Sequence, residues 1–148
     1  MGSSDYSELI SFFDQNPSCL KALQQLDPGT EILLTVGQAD SFTLGFDENK
    51  ILLEPGKPQK FDVEFIISHE ALRRLPKLKG LSLSKVGIEV VKEVLIENIK
   101  IVKHTGIVQF LKRGYLKIIV LAGPEFLTFL SKHGFGSVQK IVSFIKNM

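Results

Sequence analysis

The chain has 148 residues, of which 44% are hydrophobic and 23% are charged, and its formal net charge is +2. These values are typical of one folded domain that buries most of its apolar side chains, so we predict a single domain over residues 1–148. No apolar run approaches the roughly 18 residues that a membrane-spanning helix needs. A single cysteine, Cys19, excludes an internal disulfide and a thiolate metal cage, which favours a reducing, cytoplasmic compartment.

The charges are divided unevenly along the chain. Residues 1–70 carry 4 basic and 12 acidic side chains, whereas residues 71–148 carry 14 basic and 4 acidic ones, giving net charges of −8 and +10. The stretches 71–88 and 98–124 contain no carboxylate. In the folded protein, the acidic half can lie against the basic half so that their charges balance. Alternatively, a one-sided basic face would attract an anionic membrane surface, a phosphate-bearing ligand or nucleic acid.

The first third of the chain predicts a broken helix followed by a sheet. Residues 7–26 form an amphipathic helical pattern that breaks at Asn16-Pro17, where Asn16 is expected to cap a second helix with Pro17 in its first turn. Apolar residues then alternate with polar ones, as in strands with one buried face. The predicted strands are 31–36, 41–47, 50–54 and 61–67. Because short turns join most of them, the sheet is expected to be mostly antiparallel.

The segment from Phe61 to Leu75 predicts a strand that leads directly into a helix. Ser68 is expected to cap this helix by accepting a hydrogen bond from a free amide of its first turn. Glu70 places a negative charge near the positive end of the helix. The inward side of the helix is formed by Ala71, Leu72 and Leu75.

The second half is harder to assign. Residues 80–103 favour an amphipathic helix, although their many valines and isoleucines favour a strand from Glu97 onwards. A short helix is expected at 106–112, a strand buried on both faces at 115–121, and a helix that begins at Pro124. A last helix is expected at 137–146.

Side chains with catalytic or metal-binding patterns are scarce. The three histidines, His69, His104 and His133, are not spaced from one another as metal ligands on one helix face would be. Ser68, His69 and Glu70 contain the letters of a catalytic triad, but neighbouring residues at a helix start point in different directions. Phosphate-binding and dinucleotide-binding loops are missing. We therefore predict no enzyme activity, no metal and no cofactor. We expect no nucleic-acid partner, because the aromatic residues of the basic half lie mainly on apolar stripes.

Taken in order, these segments resemble the sterol carrier protein type 2 family of lipid-binding domains over about residues 7–130. The matching elements of that family are a strand, a leucine-rich helix, a short helix that ends in an apolar residue and glycine, a Leu-Lys-Ile strand and an apolar helix. They correspond here to Val63–Ile67; to Ala71, Leu72 and Leu75; to Phe110, Leu111 and Gly114; to Leu116, Lys117 and Ile118; and to Phe126–Leu130.

The resemblance implies an α+β fold in which helices cover a five-stranded, mostly antiparallel sheet. It also implies an apolar tunnel between sheet and helices that binds or transfers a fatty acid, acyl-CoA, phospholipid or sterol without a covalent step. The candidate ligand-binding residues are Phe65, Ile67, Leu72, Leu75, Phe110, Leu111, Leu116, Ile118, Phe126, Phe129 and Leu130. Ordinary core packing explains each of them equally well.

The sequence leaves open a role for four basic residues and an alternative function. The basic residues Arg73, Arg74, Lys112 and Arg113 could meet an acyl headgroup or make transient contact with an anionic membrane. The alternative function is an interaction or dimerisation module that uses the same fold with a filled core.

Overall fold

The computed structural model describes residues 2–134 together with residues 140 and 143, and it shows an α+β fold. Five strands form one sheet in the order β3-β2-β1-β4-β5, in which β1 and β4 run parallel and the other three pairs run antiparallel. The strands are β1 (Ile32–Val36), β2 (Asp40–Phe46), β3 (Ile51–Pro55), β4 (Val63–Ile67) and β5 (Ile99–Lys103). The predicted five-stranded, mostly antiparallel sheet is confirmed.

Seven helices belong to the described part of the chain. They are α1 (Gly2–Gln15), α2 (Ser18–Leu23), α3 (His69–Arg74), α4 (Leu83–Leu95), α5 (Ile107–Lys112), α6 (Tyr115–Ala122) and α7 (Pro124–Lys132). A short 3-10 helix, Leu75–Lys77, follows α3. The helix predicted at 137–146 lies outside the described residues.

One face of the sheet is apolar and carries the core. Phe65 of β4 pairs with Leu34 of β1 and with Ile101 of β5, so these three side chains share a face. The core cluster of buried residues draws on this same face of all five strands. On the opposite face, Thr35 donates a hydrogen bond to the Glu64 carboxylate (2.8 Å), and both side chains are partly buried. The helices cover the apolar face that carries the core.

Helices α1 to α3 pack closely over the β1–β3 part of the sheet. Leu9 and Phe12 of α1 are buried, and the Tyr6 hydroxyl donates to the carbonyl of Leu53 on β3 (2.9 Å). At the start of α3, the Ser68 hydroxyl accepts from the backbone amide of Ala71 (3.1 Å). The predicted cap is confirmed, and side chains from these helices and strands are buried together in this half of the core.

The role expected of Asn16 was wrong. Its side chain does not cap α2, whose first turn is preceded by Pro17 without any side-chain cap. Instead the buried Asn16 amide donates to the carbonyls of Phe12 and Leu78 (2.8 Å each) and accepts from the Leu81 amide (3.1 Å). The side chain thus joins the end of α1 to the loop that precedes α4. Only long-range contacts reveal this role, because the local pattern also fits a cap.

Residues 80–103 contain both of the structures that the sequence left open. The predicted helix is correct for α4, but its continuation through residue 102 is wrong, because β5 begins at Ile99. Glu97 adopts a left-handed backbone (φ 64°), which reverses the chain between the two elements. Ile99 then pairs with Ile67 along the free edge of β4. The β-branched residues of β5 suit this half-buried edge position.

The strand predicted at 115–121 is wrong, because these residues form helix α6. A short apolar run fits a buried strand and a buried helix equally well. Gly114, with φ 106°, starts the helix, and a side chain there would overlap the carbonyl of Gln25. The Leu-Lys-Ile strand of the resemblance is therefore helical in this chain. The fifth strand of the sheet is β5 instead.

We expect Asn16→Ala to lower the free energy of unfolding by about 3 kcal/mol, because three buried hydrogen bonds are lost together. Urea unfolding followed by circular dichroism measures this change. Asn49→Ala is the matched control, since Asn49 is exposed in the turn between β2 and β3 and its expected change is below about 0.5 kcal/mol. Equal midpoints for the two variants would contradict the role given to Asn16.

Candidate functional site

An apolar cavity of about 340 Å³ lies between the β4–β5 part of the sheet and helices α4 to α7. No charged side chain lines it. The lining residues are Val63, Phe65, Leu83, Val86, Gly87, Val90, Val91, Val94, Leu95, Ile101, Phe110, Tyr115, Ile118, Ile119, Phe126 and Leu130. Leu95, at the last turn of α4, is 45% exposed and is the most accessible of them.

Helix α4 forms the longest wall of the cavity. Its lining residues recur every three or four positions, as at Val86, Val90 and Val94, so they share one side of the helix. The Ser82 hydroxyl caps the start of α4 by accepting from the Lys85 amide (3.3 Å). This wall is therefore a regular helix with a stabilised amino end, and its cavity side is entirely apolar.

The carboxyl end of α4 is anchored by a partly buried ion pair. Arg74 of α3 donates two hydrogen bonds to the Glu93 carboxylate (2.7 and 2.6 Å), and Asn98 donates a third (3.3 Å). The Arg74 guanidinium, through these hydrogen bonds, holds the pKa of Glu93 below its ordinary value. The charged Glu93 thus fixes the end of α4 whose last residues, Val94 and Leu95, line the cavity.

Gly87 allows α7 to approach α4 closely. A Cβ atom at this position would lie 2.8 Å from Cε1 and 2.9 Å from Cδ1 of the Phe126 ring. Glycine in a helix interior lowers helix stability by roughly 1 kcal/mol relative to alanine, so Gly87 destabilises α4 by about that amount. The ring of Phe126 lies against the bare backbone and closes one side of the cavity.

A stacked pair of rings forms another part of the wall. The centroids of Phe110 and Tyr115 are 4.2 Å apart with an angle of 9° between the ring planes. Arg113, in the turn between α5 and α6, pairs with Asp62 just before β4 (3.3 Å). Burial raises the pKa of the Tyr115 hydroxyl, so it remains protonated. Among the described residues this hydroxyl has no hydrogen-bond partner.

The structure brings together some of the residues predicted from the sequence. Those that line the cavity are Phe65, Phe110, Ile118, Phe126 and Leu130. Those that lie elsewhere are Ile67, Leu72 and Leu75, which are buried in the core, and Leu116 and Phe129, which are half-buried. The structure does not describe the side chain of Leu111. Ligand contact by any of these residues remains a prediction.

Most of the α4 wall was missed as a candidate site. The stripe that includes Ile88, Val91 and Leu95 predicted an amphipathic helix, but the sequence does not show that its apolar side faces a cavity. Val63 and Ile101 were missed for the same reason, since a lining strand and a packed strand have the same alternation. Tyr115 was also missed, although Ile118 of the same predicted strand was named as a candidate.

The described residues contain no group of three or more His, Cys, Asp and Glu side chains that could hold a metal ion. His69 lies 3.6 Å from Asp5, and His104 lies 3.1 Å from Glu64, as separate pairs. Ser68, whose hydroxyl caps α3, does not form a triad with its neighbours. None of the described helices is long and apolar enough to cross a bilayer.

The chain is similar in structure to solved proteins but matches no family model. No protein-family model matches the chain, and no curated protein matches it. A solved structure described as "UbiJ-SCP2 Ubiquinone synthesis protein" is 16% identical, with a TM-score of 0.46, over 82% of this chain and 95% of that chain. This likeness carries no information about the ligand of the chain.

We expect Gly87→Ala to reduce the capacity of the cavity while leaving the fold almost as stable. The new methyl group must displace the Phe126 ring, which lines the cavity, and we expect the ring to move into that space. Alanine favours the helix by roughly 1 kcal/mol, which offsets the displacement. Titration with a fluorescent apolar dye should therefore show at least severalfold weaker binding, with a thermal midpoint near that of the wild type.

Gly45→Ala provides the control for this substitution. A Cβ atom at Gly45 would meet no atom within 4 Å, and its backbone does not require glycine. Dye binding by this variant should equal that of the wild type. Unchanged binding by Gly87→Ala as well would show that the Phe126 side of the cavity does not hold the dye.

Proposed function

We propose that this protein binds and transfers a hydrophobic ligand, such as a fatty acid, acyl-CoA, phospholipid or sterol, without catalysing a reaction on it. The observation that carries the proposal is the open cavity, whose lining offers no charged side chain. Its volume falls in the range of roughly 300–1,000 Å³ that is common for small-molecule sites. An apolar cavity of this kind binds by shape and by removing the ligand from water.

The energy of burial is sufficient for such a function. Each buried methylene contributes about 0.8 kcal/mol, so a chain of about ten carbons offers roughly 8 kcal/mol before the cost of association. That cost is several kcal/mol, so moderate affinity is expected. A ligand held at moderate affinity can also be released, as transfer between sites requires.

The same cavity distinguishes this proposal from the alternative of an interaction module with a filled core. A filled core would bring α4 and α6 into contact with Phe65 and Ile101 of the sheet. Instead these two inward-facing residues line the cavity and are only partly buried. The open space supports a carrier, and a second copy of the chain remains a possible partner at another surface.

We expect Val91→Phe to weaken ligand binding by filling the cavity with a larger apolar side chain. Val102→Phe is the matched control, because Val102 alternates with Ile101 and so faces the other side of the sheet. Native mass spectrometry of freshly purified protein should show a bound lipid in the wild type and in Val102→Phe, and much less in Val91→Phe. Lipid-free wild type that also fails to bind an apolar dye would contradict the proposal.

The outward sides of α5 and α6 are suited to contact with an anionic membrane, which we include in the proposal. Val120 and Val108 are 65% and 62% exposed, and Leu121 is also exposed. Lys112 and Lys117 are exposed on the same two helices. Residues 98–124 contain no carboxylate that would repel phospholipid headgroups. Exposed apolar side chains beside lysines are typical of surfaces that lie on anionic bilayers.

We expect Val120→Glu to reduce binding to vesicles of phosphatidylcholine mixed with phosphatidylserine, because it adds a negative charge and removes an apolar contact. Cosedimentation measures the bound fraction, which should fall in high salt as well. Leu52→Glu is the control, because Leu52 is an exposed leucine on the edge strand β3. An equal loss in both variants, or a dimer that Val120→Glu dissociates, would contradict the membrane contact.

A cytoplasmic location is also part of the proposal. The only cysteine of the chain, Cys19, is buried, and burial raises its pKa to about 12. Such a thiol is unreactive and acts as a small apolar side chain of the core. This use of cysteine suits a reducing compartment.

A further inference from the structure

Helix α6 is apolar on both of its sides, although the fold covers only one of them. Lys117 is the only charged residue among its eight positions. Ile118 and Ile119 line the cavity. Val120 and Leu121 do not line it, and they are 65% and 46% exposed. A helix that is apolar all round is normally buried on every side. One helix therefore separates the cavity from the outside here, and its outer side lacks an apolar partner among the described residues.

The start of α6 is fixed by several contacts. The backbone amide of Asp27 donates to the carbonyl of Arg113 (3.0 Å), and the Arg113 side chain pairs with Asp62 (3.3 Å). Gly114 packs so closely against the carbonyl of Gln25 that no side chain would fit there. These contacts join the first residues of α6 to the chain before β1 and to the start of β4, so this end of the helix cannot move far.

The end of α6 is less constrained than its start. Gly123 follows the helix with φ 95° and ψ −177°, a backbone conformation that residues with a side chain rarely adopt. A Cβ atom there would approach only the carbonyl oxygen of Leu121, at 4.0 Å, so the surroundings leave room for movement. Beyond Gly123, α7 is held by the Phe126 ring, which lies against Gly87 of α4. A residue that can rotate at the end of a helix is typical of a hinge.

We propose that α6 is a gate through which the ligand passes directly between the cavity and an anionic bilayer. When Val120 and Leu121 enter the bilayer surface, α6 pivots about its fixed start and its end moves away from the cavity, with Gly123 as the hinge. This inference rests on the proposed function and adds the route by which the ligand enters and leaves. The bilayer is the partner because the stretch 98–124 carries lysines but no carboxylate. The first carboxylate after it, Glu125, lies on α7 beyond the hinge.

The surrounding medium decides whether the gate opens. In water, moving α6 would expose the apolar lining, which costs about 25 cal/mol for each Å² of apolar surface. Against a bilayer the same surface meets lipid chains, so this cost is largely absent. The bilayer therefore contacts more apolar surface in the open form than in the closed form, and this difference shifts the equilibrium towards the open form. The ligand also avoids water, where each exposed methylene costs about 0.8 kcal/mol.

Distances between spin labels test the movement of α6. The native Cys19 is buried, so the labels attach to introduced cysteines. We expect the distance between labels at Leu121→Cys and Glu54→Cys to lengthen by several ångströms when the protein binds vesicles of phosphatidylcholine and phosphatidylserine. The matched pair, Thr128→Cys with Glu54→Cys, reports on α7 and should keep its distance. Constant distances for both pairs in vesicle-bound protein, or a change at Thr128 as large as that at Leu121, would overturn the inference.

Transfer kinetics test the route. Parinaric acid, a linear fluorescent fatty acid, is loaded into the protein, and its transfer to acceptor vesicles that carry a quencher is followed. We expect the rate to rise in proportion to the vesicle concentration. Val120→Glu should slow transfer at least severalfold, whereas Leu52→Glu, on the edge strand β3, should transfer at the wild-type rate.

A transfer rate that does not depend on the vesicle concentration would overturn the gate and leave the proposed carrier intact, because the ligand would then leave through water. Equal rates for the two variants would overturn the gate as well. Wild-type protein that never binds parinaric acid would contradict the carrier itself.

Discussion

The structure depends on the need to cover one apolar face of a single sheet from one side. All five strands turn hydrophobic side chains to that face, while polar pairs such as Thr35 and Glu64 lie on the other. Helices α1 to α3 lie against the β1–β3 part and fill it. The β4–β5 part is covered by α4 to α7, which leave space of about 340 Å³. The cavity is therefore a consequence of how the two halves of one face are covered.

The helices over the cavity are held by contacts outside it. Hydrogen bonds from Arg74 and Asn98 hold Glu93 at the end of α4, and Asn16 holds the loop before its start. Because these anchors are polar and lie away from the lining, the walls can keep their positions without apolar side chains that meet across the space. Gly87 and the Phe126 ring allow a close approach between α4 and α7.

Local patterns in the sequence predict much of this fold, and the failures have physical causes. Strands with period-two alternation and the Ser68 cap were predictable because each depends on neighbouring residues. Residues 115–121 were assigned wrongly because an apolar run has no period, and the partner available to it decides its structure. In the structure, β5 occupies the edge of β4, and residues 115–121 lie in helix α6. The cavity depends on the distance between the sheet and the helices that cover it, which no residue pattern shows. Residues that line the cavity and residues packed in the core therefore have the same sequence pattern.

The most direct test of the central claim is methyl nuclear magnetic resonance of the protein during titration with a long-chain alcohol. If the cavity between β4–β5 and α4–α7 holds an alkyl chain, the methyl signals of Val86, Val94 and Ile118 shift together. Those of Leu9 and other residues packed beneath α1 remain in place. Shifts confined to the surface, or no shifts at saturating alcohol, would show that this space does not bind a hydrophobic ligand.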